Sequence, residues 1–515
     1  MNKSKTMSNI QCPISNVQVG MALLAGLLAV VSAPAAEPAS RNLTLADCVG
    51  LALENNLDLR IERIAREVAR QDVAVARGAY DPNLTLSAKR THEETAGSSA
   101  GTAAGALEVL GSDTDNDAFA ASVGGATSLG GLNYEVGARV GQSDGVREGN
   151  PFDTSTGSAS VTLTQPLLKG FKTDSVRYQV ATARKQSAEA AAQLEARIQD
   201  VLAQVETAWY GLIEARESIR VQEDAVQLAT QLYEDNRRKV QIGALSRLDE
   251  KQAESQAAAA RAALSSAKRA YAEAQNQLKT LLFADHRSVR DVELEPIGEL
   301  AAEPVATDAA ASGERALEQR PDLRQARLAL DRQGLAADYQ KNQTLPALDL
   351  VGSYGVAASD ESSTGDVYDR LEAADEPFWS AGVTLTFPLG NRAAQARYAQ
   401  SRANEEKQKL ELRWLEETAL VEVADAAAAV RTGYEKVQAT REARDYAREA
   451  LEAEQRKLES GKSTSFVVLQ LQRDLTSARN DAVQALMDYN RQLAALALAE
   501  GAMLERHGVA LAEEK

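Results

Sequence analysis

Ala52-Leu53-Glu54-Asn55-Asn56-Leu57-Asp58-Leu59-Arg60 returns later in the chain as Ala316-Leu317-Glu318-Gln319-Arg320-Pro321-Asp322-Leu323-Arg324. The spacing is 264 residues, and it persists to Pro82/Pro346, Leu84/Leu348 and Leu86/Leu350. Farther on, Thr162-Leu163-Thr164-Gln165-Pro166-Leu167 returns as Thr384-Leu385-Thr386-Phe387-Pro388-Leu389 at a spacing of 222, and Gly243 matches Gly461 at 218. A period of this length is far beyond a solenoid unit. It predicts a duplicated half-protein whose halves sit side by side about one axis.

The patterns inside each half define its elements. Residues 43–79 read as one helix, with Thr44 as its cap and Asp47 three residues on. Asp81-Pro82-Asn83 ends it. Period-two alternation follows in Leu84–Ala88, Leu132–Val140 and Ala159–Thr164, and in the second half over Leu348–Val356 and Ala381–Phe387. Segments of this kind, separated by Gly, Ser and Asp, match lipid-exposed barrel strands. Soluble sandwich strands alternate in the same way. Phe171, Phe378, Trp379 and Phe387 lie near strand ends and are expected at the two membrane interfaces.

Long helices come next. From Leu194 the apolar positions step by four and three through Ile198, Val201, Val205, Ala208, Leu212, Ala215 and Ile219, with Gln222 and Asn236 as polar breaks. The spacing restarts after Gly243 and again after Gly461, and many seam positions are Ala, as closely packed helices require. The helices near 173–242 and 392–460 would each run about 100 Å at 1.5 Å per residue. The fall in spacing from 264 to 222 gives the first half 42 extra residues between its strands. They read as an added hairpin, expected to decorate the outside because the second half lacks it. Loops near 93–116 and 143–157 are expected on the outer side, including Asp113-Thr114-Asp115-Asn116-Asp117.

The boundaries follow: a signal peptide over 1–35, a first repeat over 36–285, a linker over 286–312, a second repeat over 313–507 and a tail over 508–515. Lys3 and Lys5, the apolar run Met21–Val31 and Ala33-Pro34-Ala35 make a secretory signal, with cleavage expected after Ala35. No later run of apolar residues suffices for a membrane helix, so an exported membrane protein of this sequence must be a closed β-barrel. Cys48 is then the lone cysteine of the mature chain. Leu45-Ala46-Asp47-Cys48 looks like a lipid-attachment box but lies inside a helical pattern, which makes Cys48 a buried core residue.

Composition excludes other classes. Aromatic residues are only 4% of the 515, so large globular cores are not expected. The formal net charge of −17 gives no basic footprint for nucleic acid. Gly461-Lys462-Ser463 lacks the earlier glycine of a phosphate loop, where Arg456 stands. Asp113–Asp117 lacks the central glycine and terminal acid of a calcium loop. His92, His286 and His507 are scattered, so neither a metal site, a cofactor site nor a catalytic set can be argued.

The whole resembles the TolC-type outer-membrane efflux family. Three sets of residues carry the likeness: the opening Leu43-Thr44-Leu45…Ala52-Leu53-Glu54-Asn55-Asn56; Tyr80-Asp81-Pro82-Asn83-Leu84 with Leu163-Thr164-Gln165-Pro166-Leu167-Leu168; and Lys457-Leu458-Glu459-Ser460-Gly461-Lys462-Ser463-Thr464-Ser465-Phe466, echoed at Lys239-Val240-Gln241-Ile242-Gly243-Ala244-Leu245-Ser246. The resemblance implies a mainly α homotrimer with a membrane β-barrel, its protomers sharing the barrel and a long periplasmic α-barrel. It implies a passive, non-enzymatic exit duct in the outer membrane of a Gram-negative-type bacterium. Its partners would be a periplasmic adaptor and a proton-driven or ATP-driven inner-membrane pump, for efflux or type I secretion. Gly243, Ala244, Leu245, Ser246, Gly461, Lys462, Ser463 and Thr464 would form tips that dock the adaptor. The family's closed mouth often carries acidic rings. Val467 and Gln470 stand where acids are expected, which leaves Asp249 and Glu250 as aperture candidates. The alternative reading is a periplasmic coiled-coil adaptor or structural protein without a barrel.

Overall fold

The computed structural model describes residues 40–510, apart from 103, 104, 110, 148, 299, 301, 307 and 362. The expected signal peptide and the end of the tail lie outside the described residues. The chain runs β1 (Ser40–Leu43), α1 (Leu45–Asn55), α2 (Leu57–Arg77), β2 (Asn83–Thr95), β3 (Ser98–Thr102), β4 (Gly105–Val109), β5 (Ser112–Ala126), β6 (Asn133–Arg147), β7 (Asn150–Pro166), α3 (Ser175–Gln241) and α4 (Arg247–Leu282). The second half follows as β8 (Glu293–Pro296), α5 (Ala309–Gln319), α6 (Pro321–Gln343), β9 (Ala347–Asp360), α7 (Thr364–Ala373), β10 (Glu376–Thr386), α8 (Arg392–Glu459), α9 (Ser465–Ala499) and α10 (Met503–Arg506). The protein is therefore mainly helical with one large sheet.

The opening motif explains itself in space. Thr44 and Asp47 make a full capping box on α1, as expected. The helix predicted over 43–79 is two helices, because Asn56 takes an extended conformation between them. Asn56 caps α2 with its Oδ1, and its Nδ2 donates to the carbonyl of Leu281, 3.0 Å away at the end of α4. Arg320 occupies the same place in the second repeat. Its Nη1 donates to the carbonyl of Ala499 at the end of α9, 3.4 Å away. So α4 and α2 abut end to end, as do α9 and α6. Each stacked pair runs beside one unbroken helix, α3 of 67 residues or α8 of 68.

The predicted seam is buried. Leu194, Ile198, Val201, Val205, Ala208 and Leu212 of α3 form the main core with Leu278 and Leu282 of α4, Cys48 and Leu59. Alanines 253, 257, 260 and 267 let α4 pack closely. The segment expected as a bare linker contains β8, which pairs in parallel with β1 and buries Leu294. Glu206, fully buried on α3, fastens the chain's end. It accepts hydrogen bonds from Tyr210 Oη at 2.7 Å and Arg506 Nη2 at 2.8 Å, and His507 Nε2 lies 3.1 Å away. Burial pushes the Glu206 carboxyl up, but the bonds to His507, Arg506 and Tyr210 outweigh it and hold the group below its ordinary range.

The sheet corrects the sequence reading at three points. Its order is β10-β9-β7-β6-β5-β2, every neighbour antiparallel. The added hairpin, β5 and β6, stands inside the sheet between β2 and β7 and does not decorate it. Asp113–Asp117 is not an outer loop but part of β5, paired to β2 from Glu94 to Arg90 and to β6 from Val146 to Gln142. Residues 143–147 and 150–157 are likewise paired strand, with β6 and β7 running together to Arg147 and Asn150. The Thr127–Leu132 turn lies at the helical end, and α7 at the other.

Candidate functional sites at the helical tips and on the sheet

The helical tips are built by glycine. At Gly243 φ is +76° and at Gly461 +74°, a left-handed conformation that side chains resist. Ala244 N–H donates to the Lys239 carbonyl and Lys462 N–H to that of Lys457, both at 2.8 Å. Both helices thus end in the same reversal. Ser246 caps α4 and shares a capping box with Asp249. Thr464 stands at the N-cap of α9 without a side-chain bond, while Ser463 Oγ donates to Glu454 Oε1 at 2.6 Å. Gly243, Ala244, Ser246, Gly461, Lys462 and Thr464 are exposed, and Leu245 and Ser463 half-exposed. Around them Ile242, Leu248 and Phe466 expose large apolar side chains, with Leu248 and Phe466 at matching places in the two repeats.

The two tips are tied to each other. Asn236, fully buried, accepts from Ser465 Oγ at 3.0 Å through Oδ1 and donates from Nδ2 to the Asp249 carbonyl at 3.3 Å. Above it, Arg473 donates to Gln256 and Arg479 meets Asp224 at 2.9 Å. The sequence marked Asn236 only as a polar break in an apolar register. That break was the signal, because a buried amide needs a partner. Of the aperture candidates, Asp249 spends its carboxylate on the Ser246 N–H and hydroxyl. Gln470 donates to Asp474 at 2.9 Å, Val467 is exposed, and Glu250 is half-buried.

The sheet has two unlike faces. One register row runs Leu84, Val123, Val136, Val161, Tyr354, Trp379. The next rows add Leu86, Ala121, Ala138, Ala159, Val356 and then Ala88, Phe119, Val140, Gly157, Ala358 on the same side. Most of the large side chains here are exposed, Leu86 at 71% and Trp379 at 76%. The opposite face carries Thr85, Ser87, Ser122, Thr162, Ser160, Ser353 and Thr384. An exposed apolar face of this extent backed by a hydroxyl-rich one suits lipid on one side and water on the other. The apolar face ends at a polar row, Arg90, Asp117, Gln142, Ser155 and Asp360. There α7 covers Gly157 with Val367 and Leu371, where a side chain would collide.

Trp379 lies on the apolar face beside Tyr354. Phe378, expected at a membrane interface together with Trp379, lies on the opposite, hydroxyl-rich face, over Gly355. Phe387 is exposed at the foot of β10, and Phe171 packs against the Gly130 turn at the same end. Among the described residues no group of three His, Cys, Asp or Glu could hold a metal ion, and no helix is long and apolar enough to cross a membrane.

The comparisons with known proteins agree with this geometry. The family model described as "Outer membrane efflux protein" matches residues 48–282 and 313–502. No curated protein matches the chain. The fold is similar to the CmeC outer membrane channel of Campylobacter jejuni, at 17% identity and TM-score 0.65 over 89% of this chain and 85% of that one. It is similar to VceC of Vibrio cholerae, at 17% and 0.64 over 89% and 96%. It is also similar to the open MtrE outer membrane channel of Neisseria gonorrhoeae, at 20% and 0.62 over 89% of each.

Proposed function

The chain belongs to the outer membrane efflux protein family, and from that premise we propose a passive, trimeric exit duct whose tips dock a periplasmic adaptor. The protein is an outer-membrane efflux channel with a periplasmic extension, of the kind that works with adaptors and inner-membrane pumps. It supplies no energy itself; the pump does. The adaptor alternative is not retained, because the chain matches the channel family across both repeats.

One observation carries the trimer. Within a protomer α6 packs against both α3 and α8. Its repeat mate α2 packs against α3 and leaves its far side open. That side is an apolar stripe of Leu57, Ile61, Ile64, Val68 and Val75. Helix α8 leaves open a stripe of Leu410, Trp414 and Val421, opposite its buried Ala419, Val423 and Val430. The α2 stripe of one copy fits the α8 stripe of the next, repeating the α6–α8 packing between protomers. This contact is head-to-tail, the kind that builds a ring when the rotation between copies closes. With two wedges per protomer, three copies give six near-equivalent wedges around a channel.

The sheet then lies at the membrane and the tips at the periplasmic mouth. Trp379 on β10 and Phe387, just past its end, are eight residues apart, about 26 Å along an extended strand. That is on the order of the ~25 Å apolar band of such barrels. These two residues, with Phe171 at the lower level, mark its margins. The exposed Leu248 and Phe466 beside Gly243 and Gly461 give the adaptor an apolar foothold. Gly243→Trp or Gly461→Trp is expected to abolish transport while the trimer still assembles; normal transport with either variant refutes docking at the tips.

A further inference from the structure

The sheet has two free edges, β2 and β10. Strand β2 leaves the helical end and β10 returns to it, so the two edges of neighbouring copies meet antiparallel. The register also carries a stagger. In the row from Leu84 to Trp379, Leu84 is one residue from the foot of β2 at Asn83. Trp379 is seven residues from the foot of β10 at Thr386. The strand feet therefore descend six residues over the five steps from β2 to β10, and a level step onto the next copy makes six steps per copy. A closed barrel demands such a shear. One residue per strand, at ~3.3 Å rise and ~4.8 Å spacing, gives a tilt of about 35°, within the ~35–45° of closed barrels.

We infer that β2 of one copy pairs with β10 of the next, and that three copies close a single eighteen-stranded wall in which β5 and β6 are wall strands. This rests on the trimeric duct proposed above. Levelling the two feet sets Leu84 opposite Leu385, Leu86 opposite Val383 and Ala88 opposite Ala381, apolar against apolar. Thr85 then faces Thr384 and Ser87 faces Gly382 on the polar side. A slip of one residue turns lipid-facing side chains toward water.

The wall so formed fits the tube beneath it. Each copy contributes four helical columns: α3, α8 and the two stacked pairs. Twelve columns at ~8–10 Å spacing give a circumference of about 100–120 Å. Eighteen tilted strands at ~4.8 Å give about 105–110 Å. Leaving the hairpin out gives a wall about two-thirds as wide at the same tilt. The added hairpin thus carries the width of the periplasmic tube through the membrane without a step.

The test is a density map of the full-length trimer in lipid nanodiscs. Eighteen wall strands, with β5 and β6 between β2 and β7 of each copy, are expected. Twelve wall strands with the hairpin outside overturn the inference while leaving the trimeric duct standing. An assembly that is not trimeric refutes the duct reading itself. Cysteine pairs check the edges in native membranes. Oxidised T85C/T384C is expected to link neighbouring copies into a ladder up to trimer, and T85C/S122C to link only within a chain. A T85C/T162C link within the chain, with neither of the others, places β2 directly on β7 and overturns the inference.

Discussion

Ile64→Asp in α2 probes the proposed seam between copies. Ile64 is 65% exposed in the protomer and Trp414, on the facing stripe of α8, 69%. Burying a whole Ile side chain is worth ~1.5–3 kcal/mol, so the part left for the seam is worth about 1–2 kcal/mol. A carboxylate there must be desolvated or protonated, which costs at least as much as burying a neutral polar group, ~1–3 kcal/mol. The combined loss is roughly 3 kcal/mol per seam, about a hundredfold in association, and the ring has three seams. Trp414→Asp is expected to act alike. Arg70→Asp is the control, because Arg70 sits on α2 away from both the stripe and the α3 contact. The assay is the temperature at which detergent-solubilised trimer dissociates, followed by native gel or light scattering. The two seam variants are expected to dissociate far earlier than wild type, or to purify as monomer. Trimers as heat-stable as the Arg70→Asp control refute the seam.

Other outcomes follow from the interior. Asn236→Ala strands the buried Ser465 hydroxyl and should cost about 1–3 kcal/mol at the tips; planar-bilayer conductance is expected to rise, and unchanged conductance argues against a tie between the hairpins. Glu206 has a lowered folded pKa, so its contribution is full above the ordinary carboxylate range and fades as pH falls through the lowered value. Thermal melts of Glu206→Gln should thus be less stable than wild type at pH 7 and converge on it in acid, and parallel curves contradict this. Cys48 is buried and its thiol is pushed up to about 12; it should resist maleimide at pH 8 in native protein and react after denaturation, and rapid native labelling is the contrary result.

Local chemistry was legible in the sequence and partnership was not. Gly243, Gly461 and the Thr44–Asp47 cap could be read because a reversal or a cap is decided within a few residues. The long helices were legible because their four-and-three spacing persists over many turns. The break at Asn56 was missed because apolar spacing continues across it; what decides it is Leu281, distant in sequence, accepting the Asn56 amide. Period-two alternation marks β6 as a strand, and the extra length reads as a hairpin, but neither says what the hairpin pairs with, so its place inside the sheet is not legible. Asp113–Asp117 looked like a loop because alternation of apolar residues stops where strands rise past the apolar belt, although pairing continues. Phe378 and Trp379 were grouped by proximity, yet neighbours on a strand face opposite ways.

The barrel is the claim on which the rest depends, and spin labels placed singly from Ser380 to Leu385 in lipid-reconstituted protein test it most directly. Oxygen, which partitions into lipid, is expected to reach positions 381, 383 and 385 best. A polar nickel reagent is expected to prefer 380, 382 and 384. Equal access of the polar reagent to both sets contradicts a membrane-embedded wall.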